Sequence, residues 1–263
     1  MNRIDRLFKE KKKDIVSIYL TAGYPALNDT CSLIKTLERS GVDLLEIGIP
    51  FSDPLADGPV IQKSSQQALN NGMSLRLLFE QLKGIRNEVS IPLVLMGYLN
   101  PVMQFGFDRF IEECRECGID GLILPDLPLS IYKAEYASSM EEADLRFIML
   151  ITPQTDENRI REITNTAGGK GFLYMVADSA TTGAKSEINT SQREYFQRIA
   201  DLDLGIPRII GFGISNSSTF KSACEYANGA IIGSAFIQAI GAENELPVEE
   251  KAEKFVRSIL EAS

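Results

Sequence analysis

The sequence predicts a single α/β domain over residues 1–263, a (β/α)8 or TIM-type barrel, and three observations carry the prediction. Short apolar runs alternate with longer segments of helical period, which is the pattern of parallel strands joined by crossover helices. Most of these runs are too continuously apolar for a sheet with one wet face, so helices must cover one side and a packed interior the other. The 263 residues fit a single barrel of this kind, for which about 200 to 250 is usual. A doubly wound open sheet is the competing architecture for the same alternation.

The opening segment MNRIDRLFKEKKKD places Ile4, Leu7 and Phe8 at helical spacing, predicting an N-terminal helix. Lys11 to Lys13 then read as its solvated end rather than as a basic binding tract. Eight strand-like runs follow: Val16 to Thr21, Leu44 to Ile49, Leu93 to Met96, Gly121 to Leu124, Phe147 to Ile151, Phe172 to Val176, Arg208 to Gly211 and Ala230 to Ile232. Between them, CSLIKTLERSG, SLRLLFEQLKGI, NRIREITNTAGG and TFKSACEYANG carry apolar residues three or four apart and glycine at or just past the end, as helices do. Val60 to Asn71 adds a helix to the second unit. SAFIQAIGA, from Ser234, adds a short one ahead of the final helix VEEKAEKFVRSILEA. No low-complexity linker or composition break marks a second domain.

Composition narrows the function. With 44% apolar and 24% charged residues the chain can bury a large core. A net charge of −9 and the lack of a basic stripe argue against nucleic acid or an anionic membrane, while leaving room for a phosphorylated metabolite held by backbone amides. The first residues lack the apolar centre of a secretory signal, and no stretch reaches the roughly 18 apolar residues of a membrane span; a cytoplasmic location is expected. Cys114 and Cys117 have C-x-x-C spacing but fall within the helical pattern FDRFIEECRECG, and Cys31 and Cys224 form no second pair, so buried free thiols are expected.

Chemistry concentrates between Leu44 and Pro59, in LLEIGIPFSDPLADGP. Glu46 sits inside an apolar strand and Asp57 in the loop that follows. Burial raises a carboxyl pKa towards neutrality, where it can both give and take protons. With no histidine in the chain, proton transfer falls to carboxylates, Tyr, Lys or Cys, and a His-ligated metal is excluded. The alternative for Glu46 is a buried structural ion pair. In a barrel, functional groups gather at the carboxyl ends of the strands. Tyr98, Asn100, Pro125, Asp126, Thr152 and Pro153 all follow predicted strands there. Glycine-bearing turns also follow the last three strands, TTGAK at Thr181 to Lys185, GFGIS at Gly211 to Ser215 and IIGSAF at Ile231 to Phe236. Glycines let backbone amides approach an anion, and together these turns can cradle a phosphate.

LLEIGIPFSDPLADGPVIQ, with TAGYP before it and GFGIS and IIGSA after it, closely resembles the α subunit of tryptophan synthase, and the similarity runs almost the whole chain. The resemblance implies a (β/α)8 barrel that cleaves indole-3-glycerol phosphate to indole and glyceraldehyde 3-phosphate in tryptophan biosynthesis. It implies no cofactor in this chain, and a partner β subunit that carries pyridoxal phosphate and receives the indole in an α2β2 heterotetramer. By position, Glu46 matches the family's strand-borne acid/base, Asp57 its second carboxylate and Tyr174 an auxiliary tyrosine near the glycerol. Gly183, Gly213, Gly233 and Ser234 match its phosphate site. Tyr19, Tyr98, Ile123 and Phe212 are suitably placed to wall a flat indole slot. One stretch departs from the family's pattern: Asp178 stands for an arginine and Ala180 for a glycine in the loop that closes over the site, so weaker or altered activation by the β subunit is expected. Two rivals remain, a subunit kept mainly to activate its partner, and another phosphate-binding barrel enzyme, although those barrels lack FSDPLADGP.

Overall fold

A computed structural model describes residues 1–177, 189–211 and 213–260. Its strands are β1 (Ile15–Thr21), β2 (Leu44–Gly48), β3 (Leu93–Met96), β4 (Gly121–Ile123), β5 (Arg146–Phe147), β6 (Met149–Ile151), β7 (Leu173–Val176), β8 (Arg208–Gly211) and β9 (Gly229–Ile232). They form one parallel sheet in the order β5-β4-β3-β2-β1-β9-β8-β7-β6. The two edges of that sheet, β5 and β6, are halves of the single run expected from Phe147 to Ile151. They are split at Ile148, whose N–H still donates to the Leu122 carbonyl at 2.9 Å. The sheet therefore returns to its own starting segment and makes a nearly closed cylinder.

Register decides which side chains face inward. Tyr19 pairs with Glu46, Glu46 with Val94, and Tyr174 with Ile209, so these residues lie at similar heights on neighbouring strands. Successive side chains alternate between the two faces of a strand. Ser17, Tyr19 and Thr21 on β1 thus share the interior with Leu44, Glu46 and Gly48 on β2. Both strands are buried along their whole length, as expected for a sheet covered on both sides.

Outside the cylinder the second unit is long, with helices Pro59–Asn70 and Leu75–Leu82. Proline opens the first of them at N1, where its missing N–H costs nothing. Ser74 caps the second by accepting from Leu77 N at 3.2 Å. Helix Leu99–Phe105, absent from the sequence expectation, is pinned at its start by Asp126, whose two carboxylate oxygens accept from Leu99 N at 2.9 and 3.0 Å.

Helix Arg3–Glu10 stops the amino-terminal end of the barrel. Ile4 is fully buried, and a Cβ on Gly121 would fall 2.9 Å from its Cδ1 and 3.0 Å from the Arg146 carbonyl oxygen, so a side chain at that strand position would crowd both the helix and the neighbouring strand. Phe8 packs on Phe172 with ring centroids 5.7 Å apart. Asn2 donates to the carbonyls of Asp120 and Asp144 at 2.9 and 2.6 Å. Asp5 accepts from Arg146 at 2.7 and 2.9 Å and from Gly171 N at 2.9 Å. Asp120 takes Arg3 at 3.0 Å, Leu93 N at 2.9 Å and Arg86 on one buried carboxylate. Removing one partner of a buried charge network leaves the others uncompensated, so Asp120→Ala is expected to cost roughly 3–5 kcal/mol, read as a lowered urea midpoint. A loss below about 1 kcal/mol would show that the Asp120 carboxylate is not needed to hold the stopper.

With this end closed, the open mouth is at the carboxyl ends of the strands. The short helix Ser234–Gly241 lies on that side, ahead of helix Val248–Leu260. Cys114, Cys117 and Cys224 are buried free thiols, as expected. Cys31 is only half-buried, with its thiol on the Gln81 carbonyl at 3.1 Å.

Candidate active site

Glu46 is the middle residue of β2 and points into the barrel. It is wholly buried, and neither carboxylate oxygen has a hydrogen-bond partner among the described residues. A structural ion pair is therefore not what holds it. Burial in the barrel wall pushes its pKa up to about 8, and the Ser17 hydroxyl acts in the other direction. A carboxyl poised there can donate and accept a proton at neutral pH.

Asp57 approaches the mouth from the loop after β2. The Tyr98 hydroxyl donates to its Oδ2 at 3.0 Å and itself accepts from Ala56 N at 2.9 Å, while Gln62 donates to the Asp57 carbonyl at 2.8 Å. The Asp57 carboxyl is raised above the ordinary range by burial, and the Tyr98 hydrogen bond works against that rise. Tyr98, expected as a slot wall, is seen here to orient the Asp57 carboxylate. Its own hydroxyl is pushed up to about 12 by burial and then by the neighbouring Asp57 charge.

Two tyrosines cross to neighbouring strands at glycines. A Cβ on Gly48 would fall 2.0 Å from the Tyr19 Oη, and one on Gly211 2.3 Å from the Tyr174 Oη. Each glycine makes room for a phenol to lie over the interior. Burial raises the pKa of both tyrosines, and the charges of Glu46 and Asp57 raise them further. Both phenols therefore lie within electrostatic reach of both acids, which places all four groups around one space. Ile123 is fully buried on β4, at the register position beside Met96.

At the other side of the mouth, Gly213 has φ +80°, a left-handed conformation that favours glycine, and it is exposed. Gly233 precedes helix Ser234–Gly241 with no side-chain cap, leaving the first amides of that helix without intrahelical acceptors. Ser234 is exposed. A Cβ on Gly233 would come within 3.6 Å of the Tyr19 Cβ, so this turn adjoins the tyrosine end of the cavity. Gly183 and Phe212 lie outside the described residues, as do Asp178 and Ala180. Among the described residues no cluster of three or more His, Cys, Asp or Glu side chains is arranged to hold a metal.

Sequence reasoning did not single out Phe51 or Ser17. Phe51 comes from the same loop as Asp57 and packs on Tyr98 with centroids 5.3 Å apart. Ser17 is a polar residue in a wholly buried strand, two positions before Tyr19, and that alternation was the available signal.

With a buried, unpartnered acid in its wall and a second acid in the loop that follows the same strand, the chain has the build of a (β/α)8-barrel enzyme, the class whose active sites lie at the carboxyl ends of the strands. Comparison with known proteins narrows the class. A family model for the tryptophan synthase alpha chain matches residues 4–262, and the chain belongs to that family. It is 56% identical to the tryptophan synthase alpha chain of Phocaeicola vulgatus over 259 residues, covering 98% of this chain and 99% of that one. It is 54% identical to that of Bacteroides fragilis over 263 residues, covering 100% and 98%. The crystal structure of the tryptophan synthase alpha chain from Legionella pneumophila superposes with a TM-score of 0.86 at 33% identity, covering 98% of this chain and 96% of that one.

Proposed function

We propose that this chain is the lyase subunit that cleaves indole-3-glycerol phosphate to indole and glyceraldehyde 3-phosphate in tryptophan biosynthesis. The observation that carries the reading is Glu46, a wholly buried carboxyl that points into the barrel with no hydrogen-bond partner among the described residues. The cleavage is a retro-aldol step. Indole C3 takes a proton, and the ring nitrogen then carries positive charge. The hydroxyl beside C3 next loses its proton, its oxygen forms the aldehyde carbonyl, and the electron pair of the broken carbon–carbon bond returns to the ring and neutralises the nitrogen. Glu46 serves C3 and the hydroxyl in turn, which requires a group that changes charge state near neutral pH. Asp57, oriented by Tyr98, accepts the indole N–H and stabilises the charge that develops there. Tyr174 stands as an auxiliary hydrogen-bonding group beside the glycerol chain. Gly213, Gly233 and Ser234, with Gly183, hold the phosphate through backbone amides, and Tyr19, Tyr98, Ile123 and Phe212 wall the indole.

The chain carries out this step with its own side chains and no cofactor, in the cytoplasm; no described helix is long and apolar enough to cross a membrane. Its partner is a β subunit holding pyridoxal phosphate, in an α2β2 assembly. Support for a partner at the mouth comes from exposed apolar residues in segments after three adjacent strands: Leu55 at 89% exposure after β2, Met103 at 48% after β3 and Ile131 at 37% after β4. The decisive measurement is indole release by the purified chain with and without the β subunit. Release of indole and glyceraldehyde 3-phosphate in equal amounts is expected. A chain that releases none in either condition, yet still activates its partner, would be an effector and not a lyase.

A further inference from the structure

Strand β1 carries a polar side chain that the cleavage chemistry leaves without a task. Ser17 is wholly buried, and its hydroxyl has no hydrogen-bond partner among the described residues. Strand alternation turns it to the same interior as Tyr19. The parallel register sets Ser17 opposite Leu44 and Tyr19 opposite Glu46, so the hydroxyl and the Glu46 carboxyl lie on adjoining strands, on one face and diagonally placed, two register positions apart in height. Glu46 is the other unpartnered polar side chain of that interior. Valine or alanine would fill this strand position without burying a hydroxyl.

We propose that Ser17 is a positioning residue of the proton-transfer site, its hydroxyl turning to donate to Glu46 when the carboxyl is charged and to accept from it when the carboxyl is protonated. The inference rests on the reading of Glu46 as the group that moves protons. A serine hydroxyl offers one donor and two lone pairs on a freely rotating bond, so it can serve both charge states without a change in its own protonation. A lysine could only donate, and an ionised carboxylate could only accept. Glu46 passes through both states in each turnover and otherwise finds no fixed partner in the wall. Ser17 is also the side chain that acts against the effect of burial on Glu46. The other titratable groups facing this space are Tyr19 on β1, Tyr174 on β7, and Asp57 with Tyr98 at the mouth. No lysine or arginine among the described residues acts on Glu46.

The test follows Glu46 directly by isotope-edited NMR of glutamate carboxyl carbons in the full chain, with its resonance assigned by its loss in Glu46→Gln. Ser17→Ala is expected to raise the Glu46 midpoint by about half a pH unit or more, because the charged form loses its donor. Ser17→Thr, which keeps the hydroxyl, is expected to restore it. The pH–rate profile of indole release should move in the same direction, with kcat lowered roughly 3- to 10-fold and KM unchanged. If Ser17→Ala packs poorly, Ser17→Cys keeps the volume with a weaker donor and should shift the midpoint the same way. A Glu46 midpoint that stays in place in the folded variant overturns the proposal. Full indole release by Glu46→Gln would instead overturn the catalytic reading, and the titration result separates the two.

Discussion

Glu46→Gln is expected to abolish most indole release and, at alkaline pH, to make the protein more stable. Glutamine keeps the shape of the side chain but cannot exchange a proton, so kcat should fall by about 10²–10⁴ with little change in KM. The stability effect follows from burial. The Glu46 carboxyl titrates near 8 in the folded protein, against an ordinary value of 4.5. Below the ordinary value both folded and unfolded chains hold the proton, and there is no penalty. Between the two values the unfolded chain releases its proton while the folded chain keeps it, so wild-type stability falls as pH rises and levels off once the folded group ionises. Glutamine has no such dependence. The variant should therefore gain on wild type from about pH 5 upward and lead by roughly 3–6 kcal/mol above pH 8, measured as the difference between urea unfolding curves. Parallel pH dependences of stability for the two proteins would mean that Glu46 is solvated, and the account of the site would fail with it.

Asp57→Asn carries the second large effect. Asparagine preserves size and can still accept from Tyr98 through its amide oxygen, so the fold should be untouched. On the proposed mechanism, what disappears is the negative charge that faces the indole nitrogen as that nitrogen turns positive. Loss of a preorganised electrostatic partner of this kind costs about 10²–10³ in kcat. Tyr98→Phe should lose far less, roughly 3- to 10-fold, since it removes only the hydroxyl that orients Asp57. Steady-state kinetics on both variants checks the order. Equal losses would assign Tyr98 a direct part in the reaction, and a near-normal Asp57→Asn would remove the second acid from the mechanism.

The strands were legible because both of their faces are buried, so each reads as an unbroken apolar run with turn residues at its ends. Glu46 stood out against that background for the same reason. Other features depend on contacts that one-dimensional pattern does not carry. Helix Leu99–Phe105 contains Pro101, which reads as a breaker unless one knows that it falls in the first turn, where proline is tolerated. The Asp126 bond that pins this helix comes from 27 residues away. The double duty of Tyr98 depends on how the loop carrying Asp57 folds back over β3, which no periodicity encodes. Ser17 was visible as a hydroxyl in a buried strand, but its meaning appeared only when register set it beside an unpaired acid.

The stopper helix has a consequence for how the chain acquires its shape. Its anchors lie at Asp120, Asp144, Arg146 and Gly171, so residues made early in synthesis cannot be fully docked until Gly171 has been made. Until then Ile4 and Phe8 present unsatisfied apolar surface at the tip of a growing polypeptide, in need of shelter from the wrong neighbours. The floor of the vessel is thus among the first parts to be manufactured, and is fitted only after the strands it seals have emerged.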